Sequence, residues 1–277
     1  MTRIPANLII NADDFGLHPR VSRAIAQCLD EGLINSFSVL PLADGDQATL
    51  LRSLLARHPG ARVGAHLSLL EAGNVTGDVD VNGNGDGLRE HPGHFLDFLQ
   101  RYITGRHPAE RVHREWRAQI LALGEYLGGP DRLAHLDSHQ HLHVLPGLWP
   151  VARALQREFR IPRLRVPYES LAGNALHRFP FGLGLQALAR LRMRADSPGF
   201  IGFRASTAFT AAAHRRALRA VLSRPDRTFE LMVHPALPPA GTAENGAVLA
   251  ASQYREIEEL RAALDLLTIL PEKGGGK

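Results

Sequence analysis

The sequence predicts an α/β fold, a (β/α) barrel of about seven parallel strands. Short β-type runs with polar residues at their carboxyl ends alternate with stretches whose apolar residues recur at helical spacing. This alternation indicates a mainly parallel sheet, and about seven strand–helix units favour a barrel over an open sheet. No linker divides the chain, so residues 1–270 are expected to form one catalytic domain, followed by a disordered tail at 271–277.

The predicted elements follow one another along the chain. The strands are expected at 7–14, 36–43, 61–69, 132–139, 162–168, 200–205 and 228–234. The helices are expected at 19–32, 46–58, 109–129, 148–159, 211–224 and 252–267. Between the third strand and the next helix, residues 71–93 are rich in Gly, Asn and Asp, which predicts a long loop or lid over the sheet.

Composition limits the classes of protein that fit. The chain has 277 residues, 44% of them hydrophobic, which is ordinary for a globular domain. Its 32 basic residues are set against 28 acidic ones, and the net charge of +4 comes without a nucleic-acid-binding motif, so nucleic acid is not an expected partner. The sequence has no apolar run of about 18 residues and no signal-peptide pattern, so the expected location is the cytosol. The single cysteine, Cys28, lies in a helical pattern and is expected to be a buried structural thiol.

One segment carries an unusual density of metal-binding side chains. The run HLDSHQHLH, at 135–143, places four histidines and one aspartate on alternate positions. In an extended strand, alternate side chains point to one face, so several of these groups would converge. Imidazole and carboxylate groups together bind Zn, Fe, Co or Ni. A site with more carboxylates can also bind a harder cation. A histidine-rich surface turn, or histidines hydrogen-bonded in a core, is the competing interpretation.

Other polar residues stand at the carboxyl ends of other predicted strands. Asp13 and Asp14 end the first strand, His66 ends the third, and His234 ends the last. In a parallel barrel the catalytic groups gather at the carboxyl ends of the strands. We therefore expect these residues to meet the 135–143 segment in space.

The chain resembles a known family of enzymes. The blocks NADDFGL at 11–17, GAHLSL at 64–69, HLDSHQHLH at 135–143 and ELMVHPAL at 230–237 are similar, in order, to those of the YdjC-like carbohydrate deacetylases. The stretch 196–209 is most similar to the hopanoid-biosynthesis-associated branch. The resemblance implies a distorted (β/α) barrel, one divalent ion such as Zn or Mg, and hydrolysis of the N-acetyl group of an amino sugar.

The resemblance also assigns ligands for the metal. Carried over to the matching positions, the ligands are Asp14, His66 and His139. Three protein ligands leave positions open for water and for a substrate carbonyl, as a hydrolytic site requires. Without a metal, Asp14 would be a turn cap and His66 a buried, hydrogen-bonded histidine.

Two residues are the candidates for proton transfer. Asp13 is expected to be the general base, although it could instead orient Asp14 or an arginine. His234 is expected to be the general acid, because the amine that leaves an amide must be protonated. The competing role for His234 is a hydrogen-bonded core histidine.

The remaining candidates are expected around the metal or the substrate. Asp137 is expected to orient an imidazole or to tune Asp13. His143 is placed in the second shell or the substrate cleft, and His141 on the outward face. Arg204 is expected to pair with Asp13 or the substrate, with a structural salt bridge as the alternative.

The expected substrate is an acetylated amino sugar, and the lipid-linked N-acetylglucosaminyl hopanoid is the specific candidate. The apolar, arginine-bearing segment 171–196 would either present an amphipathic surface to membrane lipid or pack as a helix with a solvated arginine face. A homodimer is compatible with this interpretation. The alternative functions are a metal-dependent sugar- or lipid-binding protein without turnover, and a phosphoesterase or amidohydrolase on a similar barrel.

Overall fold

Six parallel strands form one sheet in the order β4-β3-β2-β1-β6-β5. The computed structural model describes residues 4–42, 45–69, 98, 100, 102–105, 108–169, 180–203, 218–219, 221–238 and 251–269. The strands are β1 (Leu8–Phe15), β2 (Ser36–Val39), β3 (Arg62–Leu67), β4 (His135–Ser138), β5 (Gly199–Ile201) and β6 (Phe229–Val233). Every pairing is parallel, as strand–helix alternation in the sequence predicts.

Helices separate most of the strands. They are α1 (Pro19–Asp30), α2 (Gly45–Arg57), α3 (Ala109–Leu127), α4 (Leu148–Glu158), α5 (Pro180–Arg192) and α6 (Ala251–Ile269). Two 3₁₀ segments, Pro130–Arg132 and His139–Val144, flank β4. The predicted helix at 211–224 lies mostly outside the described residues.

The ends of the helices follow from local sequence. At the start of α1 the side chain of His18 accepts a hydrogen bond from the backbone N–H of Arg20, and Pro19 occupies the first turn, where its missing N–H costs nothing. Gly128 ends α3 in the left-handed conformation, with φ 81°.

The fifth predicted strand, at 162–168, is reduced to one bridge. Leu164 pairs with Leu136 beside β4, so the described part of the chain has six strands and one bridge instead of seven strands. Pro162 and Pro167 lie within this segment, and proline cannot donate a hydrogen bond to a neighbouring strand.

The sheet curls so that its two edges approach each other. Arg165, beside the β4 edge, hydrogen-bonds through Nε to Glu230 Oε1 on β6 at 2.8 Å. It also stacks its guanidinium on the ring of Phe200 in β5, 5.7 Å from the ring centroid. In a flat sheet, five strand spacings of about 4.8 Å would separate Arg165 from β6 by roughly 24 Å. The contact therefore requires a barrel-like curvature.

The core fills the space between the sheet and the helices around it. The strands contribute fully buried residues such as Ile10, Phe37 and Leu231, and the helices contribute Ile25 and Trp116. Strands buried on both faces explain why these segments read as nearly continuous apolar runs. Cys28 is buried in this core, and burial raises the pKa of its thiol to about 12. The thiol therefore stays protonated, as expected for a structural cysteine. Among the described residues, no helix has the length and apolar character needed to cross a membrane.

Candidate metal centre

Three candidate ligands converge at the carboxyl ends of β1, β3 and β4. Asp14 Oδ1 lies 3.1 Å from His66 Nε2 and 2.8 Å from His139 Nδ1. One ligand atom from each of the three residues lies within 4.8 Å of the others. Asp14 and His66 are buried, and the His139 side chain is 12% exposed. The convergence expected from strand ends in the sequence is therefore present.

A bulge in β1 brings both neighbouring aspartates into this site. In a regular strand, Asp13 and Asp14 would point to opposite faces. The register of β1 with β2 shifts between Ala12 and Phe15, and Asp14 has φ 72°, a conformation rare for residues other than glycine. Both carboxylates consequently contact polar groups of the same site. The strained backbone at Asp14 is of the kind that persists where a fold constrains a functional residue.

The chain turns sharply after β4, and this corrects the extended arrangement expected for 135–143. The strand ends at Ser138, and the 3₁₀ segment contains left-handed Gln140 and His141, with φ 53° and 57°. The turn leaves His139 at the metal centre. His141 instead stacks on Phe203, with ring centroids 5.5 Å apart, and is only 8% exposed. The expected outward placement of His141 is therefore wrong, because the turn rotates its ring into the protein.

Asp137 orients His66. Its Oδ1 lies 2.8 Å from His66 Nδ1, and the residue is fully buried. A carboxylate accepts, so Nδ1–H is the donor and Nε2 is directed to Asp14. Burial alone would lower the pKa of His66, but Asp137, Asp14 and Asp13 outweigh it and raise this pKa to about 10. The surroundings of the imidazole therefore strongly favour a positive charge.

Arg165 is the central cation of the site. Its Nη1 and Nη2 donate to the two oxygens of Asp13 at 2.6 and 2.8 Å, and Nη1 lies 2.8 Å from Asp137 Oδ2. Glu230 accepts from Arg165 and also from Arg163. Burial opposes the charge on Arg165, but the three carboxylates outweigh it and raise the pKa of this guanidinium. Fully buried charges of this kind are stable only when paired.

Small polar residues complete the hydrogen bonds of these carboxylates. Asn11 Nδ2 donates to Asp13 Oδ1 at 2.7 Å, and Ser38 Oγ donates to Asp137 Oδ2 at 2.7 Å. His135 Nε2 lies 3.0 Å from Ser38 Oγ. The ring of His135 occupies the space above Gly64, where a Cβ would stand 2.1 Å from Nε2. The glycine of GAHLSL therefore makes room for a buried imidazole.

His143 holds the backbone of Arg165 in place. Its Nε2–H donates to the backbone carbonyl of Arg165 at 2.9 Å, and its Nδ1 accepts from Ser138 Oγ at 2.6 Å. The ring also stacks on Trp149, with centroids 6.3 Å apart. His143 is fully buried, and burial lowers its pKa to about 4, so the ring is neutral at physiological pH.

His234 follows β6 at the same edge of the sheet. Val233, the last residue of β6, is in register with Ala12, so His234 and Asp13 each follow one residue of this last pair of the two neighbouring strands. The His234 backbone N–H donates to Glu256 Oε2 on α6 at 2.8 Å. His234 as a whole residue is half-buried, and the hydrogen bond to Glu256 ties its backbone to α6.

The site also contains residues outside the sequence motifs. Arg165 pairs with Asp13. Arg204, which was expected to pair with Asp13 or the substrate, and the loop 71–93 lie outside the described residues. The signal for Arg165 and Glu230 was present, since both interrupt apolar β-type runs, where an unpaired charge would be costly. Glu256 gives no comparable signal, because glutamate is common on helices.

The fold and the site together define a class of protein. It has a curled, half-barrel sheet of parallel strands with a candidate divalent-metal centre of one carboxylate and two imidazoles at the carboxyl ends of the strands. The chain belongs to the YdjC-like protein family, whose model matches residues 7–266. This confirms the family given by the sequence motifs.

Similar proteins include several carbohydrate deacetylases. The chain is 32% identical to the carbohydrate deacetylase of Brevibacillus brevis over 58% of this chain and 59% of that protein. It is 29% identical to the human carbohydrate deacetylase over 94% of this chain and 85% of that one. A chitooligosaccharide deacetylase of Serratia marcescens is 27% identical over 56% and 57%. The matches to the bacterial deacetylases thus span less than two thirds of their length.

A solved structure has the same fold. The crystal structure of a proposed cellobiose-phosphate cleavage protein from Enterococcus faecalis aligns with a TM-score of 0.66. The alignment covers 94% of both chains at 26% identity.

Proposed function

We propose that the protein is a divalent-metal-dependent carbohydrate N-deacetylase that hydrolyses the N-acetyl group of an acetylated amino sugar. The observation that carries this proposal is the convergence of Asp14, His66 and His139, with ligand atoms within 4.8 Å of one another, beside the buried carboxylate of Asp13. The names of the relatives, carbohydrate deacetylase and chitooligosaccharide deacetylase, support the same reaction.

The donor set fits one divalent ion. Asp14, His66 and His139 would hold it, and one carboxylate with two imidazoles is a ligand set that Zn²⁺ uses in hydrolases. Mg²⁺ is the alternative, because oxygen donors lie close by. Asp137 behind His66 reproduces the carboxylate–histidine pair that commonly supports a metal-binding imidazole. When bound, the ion supplies Lewis acidity, which polarises an amide carbonyl and makes water easier to deprotonate.

Asp13 is the proposed general base. Its Oδ1 accepts from both Arg165 Nη2 and Asn11 Nδ2, whereas its Oδ2 accepts from Arg165 Nη1. A carboxylate oxygen has two acceptor positions, and the hydrogen bonds among the described residues use only one of those on Oδ2. We assign the incoming proton of water to Asp13 Oδ2, in the orientation that Arg165 fixes.

His234 is the proposed general acid. It stands across the β1–β6 pairing from Asp13 and retains access to solvent. An amine leaving a tetrahedral centre needs a proton, which an imidazole can supply near neutral pH. The base and the acid thus approach the substrate from neighbouring strands.

A lipid-linked amino sugar, such as an N-acetylglucosaminyl hopanoid, is the finer proposal for the substrate. On α5, Leu183 and Leu191 are 44% and 76% exposed, and the exposed Arg190 lies beside them. Exposed apolar and basic side chains on one helix suit peripheral contact with anionic lipid. Soluble chitooligosaccharides are the competing substrate class.

The test is an acetate-release assay on metal-loaded protein. Substrates are chitooligosaccharides and N-acetylglucosaminyl hopanoid in vesicles, each measured before and after chelation and metal return. Chelatable acetate release supports the proposal, and the preferred substrate decides between the two classes. Phosphate release from phosphorylated disaccharides would indicate a phosphoesterase, and binding without any release would indicate a sugar- or lipid-binding protein. Either of these results rejects the deacetylase.

A further inference from the structure

A second set of ligand atoms adjoins the proposed metal centre. Asp13, His66 and Asp137 each offer one ligand atom, and these atoms also lie within 4.8 Å of one another. All three residues are buried. His66 belongs to both sets, because its Nε2 faces Asp14 while its Nδ1 faces Asp137. Two overlapping sets raise the question of which one an ion occupies.

Arg165 already occupies the second set. Its Nη1 lies 2.6 Å from Asp13 Oδ2 and 2.8 Å from Asp137 Oδ2, so one nitrogen joins both carboxylates of that set. The Arg165 side chain is completely buried. A guanidinium is planar, permanently charged and has no acceptor atom. It therefore fills the place between the two carboxylates that a metal ion would need.

The charges of the largely buried cluster also favour a single metal ion. The cluster contains four carboxylates and two guanidinium groups, namely Asp13, Asp14, Asp137, Glu230, Arg163 and Arg165. With His66 and His139 neutral, as imidazoles that bind a metal are, the cluster carries an excess of two negative charges, which one divalent ion neutralises. A second divalent ion would leave two uncompensated positive charges in a buried site, which is strongly unfavourable.

We propose that Arg165 acts as a built-in cation that limits the centre to one metal ion and keeps Asp13 out of its coordination. Arg165 is a positioning residue in this account, since it acts through Asp13 and Asp137. The inference rests on the proposed metal-dependent function and adds to it the reason that Asp13 serves as a base instead of a ligand.

Metal binding to paired variants tests this inference. Manganese binding is measured by equilibrium dialysis and elemental analysis for the wild type, His139→Ala, Arg165→Met/His139→Ala and Arg163→Met/His139→Ala. The wild type should bind one ion per chain, and His139→Ala should bind it on the order of tenfold or more weakly. Adding Arg165→Met should restore tight binding, because the Asp13–His66–Asp137 set becomes available.

Arg163→Met is the matched control. Arg163 contacts Glu230, so its loss removes one positive charge from the cluster without opening either ligand set. Arg163→Met/His139→Ala should therefore bind manganese as weakly as His139→Ala. If both double variants recover alike, general charge explains the effect and the inference is overturned. It is equally overturned if Arg165→Met/His139→Ala stays as weak as His139→Ala.

A further measurement uses the wild-type protein alone and depends on no variant. Arg165→Met leaves buried carboxylates short of a partner, so its folding is checked by circular dichroism. If the variant does not fold, the manganese-saturated wild type decides by electron paramagnetic resonance: isolated ions support the inference, and a spin-coupled pair overturns it. Failure of the proposed function looks different, because wild type and His139→Ala would then bind manganese equally.

Discussion

Asp137 Oδ1 lies 2.8 Å from His66 Nδ1, in a pair that is almost wholly removed from solvent. This contact fixes the tautomer of His66 and leaves Nε2 for a metal. Since the other Asp137 oxygen accepts from Ser38 and contacts Arg165, an asparagine would set its NH₂ group against these donors or against Nδ1–H.

Asp137→Asn should therefore weaken metal binding by about 10- to 100-fold, as loss of a partner behind a ligand commonly does. Competition with a chelating dye gives the dissociation constant. Asp226→Asn, at an exposed position, is the control and should bind as the wild type does. Equal affinity for all three proteins would mean that Asp137 does not support a metal ligand.

Asp13→Asn should retain the metal while losing turnover. The substitution keeps the size of the side chain but removes the carboxylate that accepts a proton. We expect kcat for acetate release to fall by a factor on the order of 10² to 10⁴. Steady-state kinetics with metal content measured on the same samples checks this, and a kcat close to that of the wild type would remove Asp13 from the role of base.

His234→Ala should affect amides far more than activated esters. An amine needs a proton as it leaves, whereas a nitrophenolate does not, so only the amide reaction should lose on the order of 10² or more in kcat. The comparison uses an N-acetyl sugar and nitrophenyl acetate. A parallel loss on both substrates, with metal still bound, would assign His234 to positioning the substrate instead.

Glu256 should make the protein less stable as the pH rises. Burial, together with Glu259 and Asp13, outweighs the hydrogen bond from His234 and raises the pKa of Glu256 from 4.5 to about 8. Between these values the folded chain keeps a proton that the unfolded chain has released. The stabilisation is thus complete below pH 4.5 and is lost as pH rises through about 8.

Glu256→Gln keeps an acceptor for the His234 N–H but cannot ionise. Its free energy of unfolding should exceed that of the wild type by a few kcal/mol, on the order of what the pKa shift allows, at pH 9 and by little at pH 5. Urea unfolding at both pH values measures the difference, with the exposed Glu258→Gln as control. If the difference in the free energy of unfolding between Glu256→Gln and the wild type is the same at both pH values, Glu256 is not protonated in the folded protein.

Gly64→Ala should destabilise the fold. The new Cβ would stand 2.1 Å from His135 Nε2, so the buried imidazole and its bond to Ser38 must shift. We expect a loss of about 1–3 kcal/mol or more in the free energy of unfolding. Gly184→Ala on α5 is the control, since nothing lies within 4 Å of that position, and it should be neutral or stabilising. Equal stability of both variants would show that His135 does not need the space above Gly64.

The sequence predicted six of the strands from local patterns, and the family resemblance named Asp14, His66 and His139 as the metal ligands. Apolar runs that end in polar residues marked β1, β3 and β4, and parallel strands bring those ends together. The left-handed backbone at Asp14 and at His141 was not predictable in this way. It depends on tertiary contacts that hold strained residues in place, so His141 was placed on the wrong side of the chain.

The partner of Asp13 was also beyond local patterns. Arg165 stands in a predicted strand, and the alternation of apolar residues does not tell which strand closes against β6. The curl of the sheet decides it by bringing Arg165 to Glu230. The barrel shape, a property of the whole sheet, therefore selects the cation of the site.

The most direct test of the metal centre is anomalous diffraction from crystals of the zinc-loaded protein. We expect one peak, with Asp14, His66 Nε2 and His139 Nδ1 as ligands at about 2.0–2.2 Å, and with Asp13 still held by Arg165. A zinc ion bound elsewhere, or no anomalous peak among these three side chains in zinc-saturated crystals, would contradict this expectation.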